Sequence, residues 1–473
     1  MAYTQPLTLP GQALREDHHT PRIVTFLLLL AIAVYFCCEY PLGERSGATQ
    51  VGQYTIILMS AVGATSCVGR DRPRLGSLVF WLFTFAVIGI VQTVQLSAAE
   101  NPFGVNVPDS YVERQQIIVL AGCLAYLVGS VATSRPTGET ATVTARRNLS
   151  VRRTLLWSMV TLVGSVYSVS AYGGVSALFA SRAEVAGHLA SVGDTTASRA
   201  LLVGFASGAP FMCLFGLLRL RSSGALRLSS RPLALAVFSG LLVVNVLINN
   251  PISQPRYWVA TILITFVASG RWISRPAFQV GLVAGFLLTA LVFFPFLDAF
   301  RYQDGGGWSG GFESAYLAKT DYGSAQDITN TVFYVDHHGH TDGRQLLGAA
   351  LFPVPRAVWP SKPTDTAVLL ANEINFGNQN IDSPLWAEGY IDFGIPGTIA
   401  LLGLFGAVIG RAETTFAALE RRCSMSSILV PTLIGYELIL LRGSLLQATA
   451  RLAVIVAMAY LLSRRAGADT SQV

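Results

Sequence analysis

Long runs of apolar residues alternate with polar gaps along the whole chain, near 23–40, 52–69, 75–96, 116–133, 154–172, 199–218, 233–249, 257–270, 277–297, 387–410, 425–441 and 445–463. A helix needs about 20 mostly apolar residues to cross the hydrocarbon layer. The pattern therefore predicts about 12 transmembrane helices, of which the eighth is short. The first run ends in large residues rather than at a small-residue cleavage site, so it reads as an anchor and not as a removable signal. One gap stands apart, a polar stretch over 298–386. The expected layout is a tail over 1–22, nine spans within 23–297, the long loop over 298–386, three spans within 387–463, and a tail over 464–473. Loops of that length in compact proteins are usually functional or disordered.

Composition sharpens the class. Charged residues make up 13% of the chain, about half the roughly 25% of soluble proteins, and the mean hydropathy is +0.50. That excludes an ordinary soluble enzyme, a disordered chain and a fibrous protein. The pI near 9.0 does not point to nucleic acid, because the basic residues lie in short gaps rather than on one polar domain. With the amino terminus in the cytoplasm, 21 of the 33 Lys and Arg residues fall in inner gaps, against 7 of the 27 acids. The positive-inside rule then puts both termini in the cytoplasm and residues 298–386 outside. The inner gaps are too short for a cytoplasmic catalytic domain, so any chemistry belongs to the outer face. The six cysteines sit in or beside apolar runs with no C-x-x-C spacing, as expected of small buried hydrophobes.

Absent motifs narrow the chemistry. There is no G-x-x-x-x-G-K-[ST], no D-x-D and no H-E-x-x-H, so P-loop, metal-bound nucleotide-sugar and zinc-protease readings lack support. A 6+6 repeat is not visible, which weighs against a twelve-span transporter or flippase built from paired halves. What the chain does carry is a set of cations near outer span ends: Arg182, Arg256, Arg356, Lys362, Arg442 and Arg451. Arginine near a helix end can simply snorkel to lipid phosphate. Arg442 and Arg451 lie at or inside spans, where charge usually faces a polar cavity, and the planar guanidinium fork suits a bound phosphate.

Acids accompany them. Glu388 and Asp392 flank Tyr390 at the start of the tenth run and share a helix face at i and i+4. Either they cap the amino terminus of their own helix, or one serves as a general base. His337, His338 and His340 crowd the long loop. Without a matching Cys or acid spacing they predict no metal site, leaving a site-lining or base role for His337 and His338.

Three segments resemble a known family. Pro355-Arg356-Ala357-Val358-Trp359-Pro360-Ser361-Lys362-Pro363 resembles the PR-x-x-WP-x-KP signature of bacterial O-antigen polymerases, the oligosaccharide repeat-unit polymerases. Glu388 to Gly397 looks like that family's E-x-Y-x-N-F-G-x-x-G entry into a late span, with Asp392 where Asn is more usual. Leu441-Arg442-Gly443-Ser444 is similar to its RG-[DS] turn, and Arg182 with Gly193 matches an R-x10-G spacing of some members. The resemblance implies an all-α polytopic membrane fold similar to lipid-dependent, GT-C-like glycosyltransferases. It implies glycosyl transfer between polyprenyl-diphosphate-linked oligosaccharides at the outer face of the bacterial plasma membrane, without cofactor or metal. Polyprenyl diphosphate would be the leaving group, Trp308, Tyr316, Trp359 and Tyr390 would stack on sugars, and a chain-length regulator and a flippase would be partners. A lipid-linked-glycan ligase and a single-sugar polyprenyl-phosphate glycosyltransferase are the alternatives within the same chemistry.

Overall fold

The structure is a computed structural model, described for residues 19–99, 101–103, 108–134, 146–179, 196–251, 254–294, 317, 319–379, 381–419 and 423–466. Each predicted run coincides with a helix: α1 His19–Glu39, α2 Gly47–Cys67, α3 Leu75–Ser97, α4 Asp109–Ser134, α5 Val151–Ala171, α6 Thr196–Ser222, α7 Pro232–Ile248, α8 Arg256–Ala268 and α9 Pro276–Phe293. The long polar stretch adds three shorter helices, α10 Ser324–His338, α11 Arg344–Ala350 and α12 Thr366–Glu373, before α13 Leu385–Leu419, α14 Ser426–Arg442 and α15 Leu445–Leu462. Eight of these helices are long and apolar enough to cross a membrane: α1, α3, α4, α5, α6, α9, α13 and α15. The chain is thus an all-α multi-pass membrane protein. Helices α7 and α8 are apolar but shorter.

Side chains such as Ile23, Leu27, Val163 and Val166 lie more than half exposed on outward helix faces, a surface only a lipid environment makes favourable. Inside, α4 packs along α13 where small residues let the backbones meet: a side chain at Gly406 would strike the Tyr126 carbonyl, and one at Gly410 the Ser130 carbonyl. The middle of α3, Thr84–Val91, widens to a π-helix. Gln53 satisfies its loosened carbonyls, donating to the Ile88 oxygen at 3.0 Å and the Gly89 oxygen at 2.7 Å. Helix α13 is kinked at Phe393 and Gly394; Gly394 has φ +66°, and Pro396 follows.

Beside three small clusters, two large apolar cores result among the described residues. One joins α1 to α4, α9, α10, α13 and one face of α14. The other joins α6, α7, α15, Trp258 of α8 and the opposite face of α14. The long polar stretch is no separate lobe, because Leu317, Tyr322, Ala325, Ile328 and Val332 belong to the first core. A small departure from an all-helical chain is the antiparallel pairing of Arg147–Leu149 with Ser463–Arg465. It closes backbone groups in two segments that the charge pattern assigns to the same side.

Candidate functional site

Where the amino end of α8 meets the carboxyl end of α14, two of the expected cations converge. Arg442 Nη2 lies 3.2 Å from Asp321 Oδ1, and Arg256 Nη2 lies 3.6 Å from Asp321 Oδ2. One carboxylate thus bridges two guanidiniums. Arg442 also lies over the Tyr257 ring at 4.5 Å and places Nε 3.0 Å from Asp382 Oδ2. Behind it, Ser324 donates to Asp382 at 2.6 Å, and the Asp382 amide donates to Asp327 at 3.1 Å. Burial raises the carboxyl of Asp382, against the pull of Arg442, and raises that of Asp327, with Asp382 adding to the effect.

Directly beneath this pair opens an apolar crevice of about 330 Å³ between α3, α8, α9 and α14. Tyr257, Phe294 and Tyr322 line its end beside the arginines, Leu75 the opposite end, and Leu263, 60% exposed, its rim. The Tyr322 hydroxyl donates to the Ala290 carbonyl at 2.7 Å, and Gln95 holds the Leu317 and Tyr322 carbonyls at 2.7 and 3.2 Å. These bonds fix the backbone on either side of Asp321. Along α8, the lining runs from Tyr257 to Val267, about 15 Å at 1.5 Å per residue.

The other expected residues lie elsewhere. Arg451 rests on the Trp258 ring at 4.6 Å, and its Nε has no partner among the described residues. Arg356 donates to the carbonyls of Lys362 at 2.6 Å and Pro363 at 3.2 Å. The Lys362 ammonium in turn holds the Phe352 and Val354 carbonyls at 2.6 and 3.0 Å, and burial, with Arg356 nearby, lowers its pKa. Both cations therefore tie their own proline-rich loop together. Trp359 donates to Ser361 at 3.1 Å. Tyr390 is buried beside His340, with ring centres 5.7 Å apart. Arg182, Trp308 and Tyr316 lie outside the described residues.

Glu388 and Asp392 do cap helices, but not their own. Glu388, 1% exposed, accepts from the Leu445 amide at the start of α15 at 3.1 Å and from Thr366 at 3.0 Å. Asp392 accepts from the Gln345 and Leu346 amides of α11 at 3.1 and 2.8 Å, and from the Thr341 hydroxyl. An acid at a helix amino terminus is favoured by unpaired N–H groups and the dipole. Both Glu388 oxygens are thus engaged in holding the turn between Arg442 and α15. His337 and His338 end α10, bonded to the Phe333 carbonyl at 2.8 Å and Glu373 at 2.7 Å. That is about 16 Å along the helix from Asp327, so these histidines are not brought to the arginine pair.

Sequence reasoning missed Asp321, Asp327 and Asp382, which have no distinguishing spacing. It also missed Glu437, for which a signal existed: an ionisable residue inside an apolar run. Glu437 is fully buried, and neither oxygen has a partner among the described residues. A Cβ at Gly76 would lie 3.3 Å from both Glu437 Oε2 and Glu413 Oε1, and Glu413 is paired with Arg74 at 3.2 Å. Among the described residues, no group of three or more His, Cys, Asp or Glu is arranged to hold a metal ion.

Fold and site together define a polytopic helical membrane protein with a cationic centre at one end of an apolar crevice. Comparison with family models, curated proteins and solved structures finds no match.

Proposed function

We propose that this protein is a glycosyltransferase that polymerises oligosaccharide repeat units carried on polyprenyl diphosphate, at the outer face of a bacterial plasma membrane. The observation that carries the reading is the crevice beneath Arg256 and Arg442. A lipid-linked diphosphate is a long apolar chain ending in two phosphates, and the crevice and arginine pair present those two environments end to end. In this reading the helices make 12 spans, both termini are cytoplasmic and residues 298–386 are external, in keeping with the charge bias of the gaps. The prenyl chain lies along α8 and α9, and the guanidiniums hold the diphosphate. As the anomeric C–O bond breaks, negative charge grows on the departing diphosphate, and preorganised cations stabilise it. The acceptor sugar hydroxyl attacks the anomeric carbon and gives up its proton to solvent water. Glu388 acts through the turn that orients Arg442. A ligase would use the same crevice and pair, differing only in the acceptor.

Gly281 and Gly285 line the crevice, and a Cβ at either meets nothing within 4 Å. Gly285→Leu should therefore fill the crevice without disturbing the fold. Excluding about two methylenes of a bound chain weakens binding by about tenfold. The test is polymer formation by purified protein in proteoliposomes with a long-chain donor and a short-chain analogue. Loss with the long chain alone supports the reading, and equal activity on both at wild-type level overturns it. A ladder of products marks a polymerase, and a single transferred chain marks a ligase.

A further inference from the structure

The bridge made by Asp321 is the least expected contact of the site. The arginine pair is built to hold an anion, yet a side chain of the protein already occupies it, one carboxylate oxygen facing each guanidinium. The Asp321 side chain is 38% exposed, whereas those of Arg442 and Arg256 are 20% and 13% exposed. The carboxylate therefore lies on the open side of the pair. The backbone beneath it is pinned by Gln95 and by the Tyr322 hydroxyl, while the Asp321 carbonyl accepts from Arg442 at 3.2 Å. Exchange of the carboxylate for another anion then needs only a side-chain rotation. It does not need the loop to move.

We propose that Asp321 is an internal exchange anion, which gives way to the diphosphate headgroup on binding and returns to the arginine pair to expel the prenyl diphosphate after transfer. The proposal rests on the reading of Arg256 and Arg442 as the headgroup site. Its chemical motive lies in the charge of the product. While a sugar is attached, the diphosphate is esterified at both ends. When the anomeric carbon–oxygen bond breaks, the bonding electron pair stays on the phosphate oxygen, and the headgroup leaves with one more negative charge than it brought. Two arginines that bind the donor well bind the product better, and release then limits turnover. A tethered carboxylate competes with both species and lowers the barrier to leaving. Asp382 cannot take this role. It is 5% exposed at its side chain, accepts from Ser324, and faces Arg442 from the buried side.

The test uses the full-length protein in nanodiscs, with a long-chain prenyl diphosphate as the probe. Asp321→Asn keeps the size and removes the charge; Asp321→Ser removes the reach as well. Both variants should bind the probe about 10- to 100-fold more tightly than wild type, the effect of relieving one charge-assisted contact, and should release it more slowly. In steady-state turnover both KM and kcat should fall, with a burst of one product equivalent per protein. Weaker or unchanged probe binding in both variants would overturn the proposal and leave Asp321 as a strut for the arginines. Arg442→Ala separates the two levels. If it abolishes probe binding while the Asp321 variants gain nothing, the exchange role fails and the headgroup site stands. If it leaves probe binding at the wild-type level, the headgroup site fails as well.

Discussion

Tyr257 and Trp258, consecutive in the first turn of α8, each carry a guanidinium on the ring face: Arg442 at 4.5 Å on Tyr257, and Arg451 at 4.6 Å on Trp258. Adjacent helix residues point about 100° apart, so the two rings face different cores. Tyr257 packs against the core of α1 to α4, and Trp258 is buried in that of α6, α7 and α15. One helix turn thus holds two arginines from α14 and α15 in separate surroundings. Arg442 has carboxylate neighbours. Arg451 stands beside Tyr172 and Tyr436 instead.

That division separates the arginines by consequence. Under the proposed function, Arg442→Ala and Arg256→Ala should each lower glycosyl transfer by about 10²–10³, the usual cost of one lost oxyanion contact. Lysine should restore only part of the loss, since it lacks the fork. Arg356→Ala should act on the proline-rich loop instead, costing about 1–3 kcal/mol of stability through the freed carbonyls, with donor affinity within about tenfold of wild type. Donor binding and thermal unfolding, measured side by side, check the contrast; equal loss of donor binding in all three would place Arg356 at the headgroup.

Glu388 offers a second contrast. Gln at this position still accepts from the Leu445 amide and can receive or donate at Thr366, whereas Ala leaves a buried amide unpaired. Glu388→Gln should keep turnover within about tenfold of wild type, and Glu388→Ala should lose about 1–3 kcal/mol of stability and most of the activity. A loss of about 10²–10⁴ in the Gln variant, with donor binding intact, is the signature of a general base and would replace the positioning role.

The acids behind Arg442 give a pH dependence with a defined sign. Burial brings the Asp382 carboxyl up to about 6, against about 3.9 in an unfolded chain. The folded state therefore holds the proton more tightly, and this contribution to stability is present below about pH 4 and lost as pH rises through about 6. Asp327→Asn removes the neighbouring acid. Relative to wild type, the variant should gain stability at pH 8 over pH 5 by about 1–3 kcal/mol, read from unfolding at the two pH values. A difference of the opposite sign would mean that the pair is held by Arg442 more strongly than burial opposes it.

Glu437 should be a stability liability. A buried carboxyl with no partner costs free energy, so Glu437→Leu should stabilise the protein by about 1–3 kcal/mol in thermal unfolding. Destabilisation of similar size would show that the carboxyl is engaged in the folded protein.

Sidedness is tested at Val358, 75% exposed in the long stretch before α12. In a background lacking the six native cysteines, Val358→Cys should react with a membrane-impermeant thiol reagent on intact spheroplasts. Reaction only after permeabilisation would put this face, and the arginine pair with it, in the cytoplasm.

The helices and their order were legible along the chain, because each apolar run must satisfy its own backbone hydrogen bonds once water is excluded, and only a helix does so within a single segment. That Arg442 needs partners was legible too, since a cation at the end of an apolar run is costly, and the fold supplies Asp321 and Asp382. Spacing along one helix also showed that Glu388 and Asp392 share a face. It did not show what they face: the amino ends of α15 and α11, 57 and 47 positions away in sequence. The same holds for Arg256 and Arg442, joined by Asp321 across more than 60 residues on either side. The crevice beneath them is bounded by helices α3, α8, α9 and α14, from different parts of the chain. Local pattern reports what a segment needs, burial or solvent, within a turn or two of helix. Which buried groups meet is decided only when helices pack, because packing chooses neighbours by shape and by the pairing of otherwise unsatisfied polar groups, and neither is written at a fixed spacing in sequence.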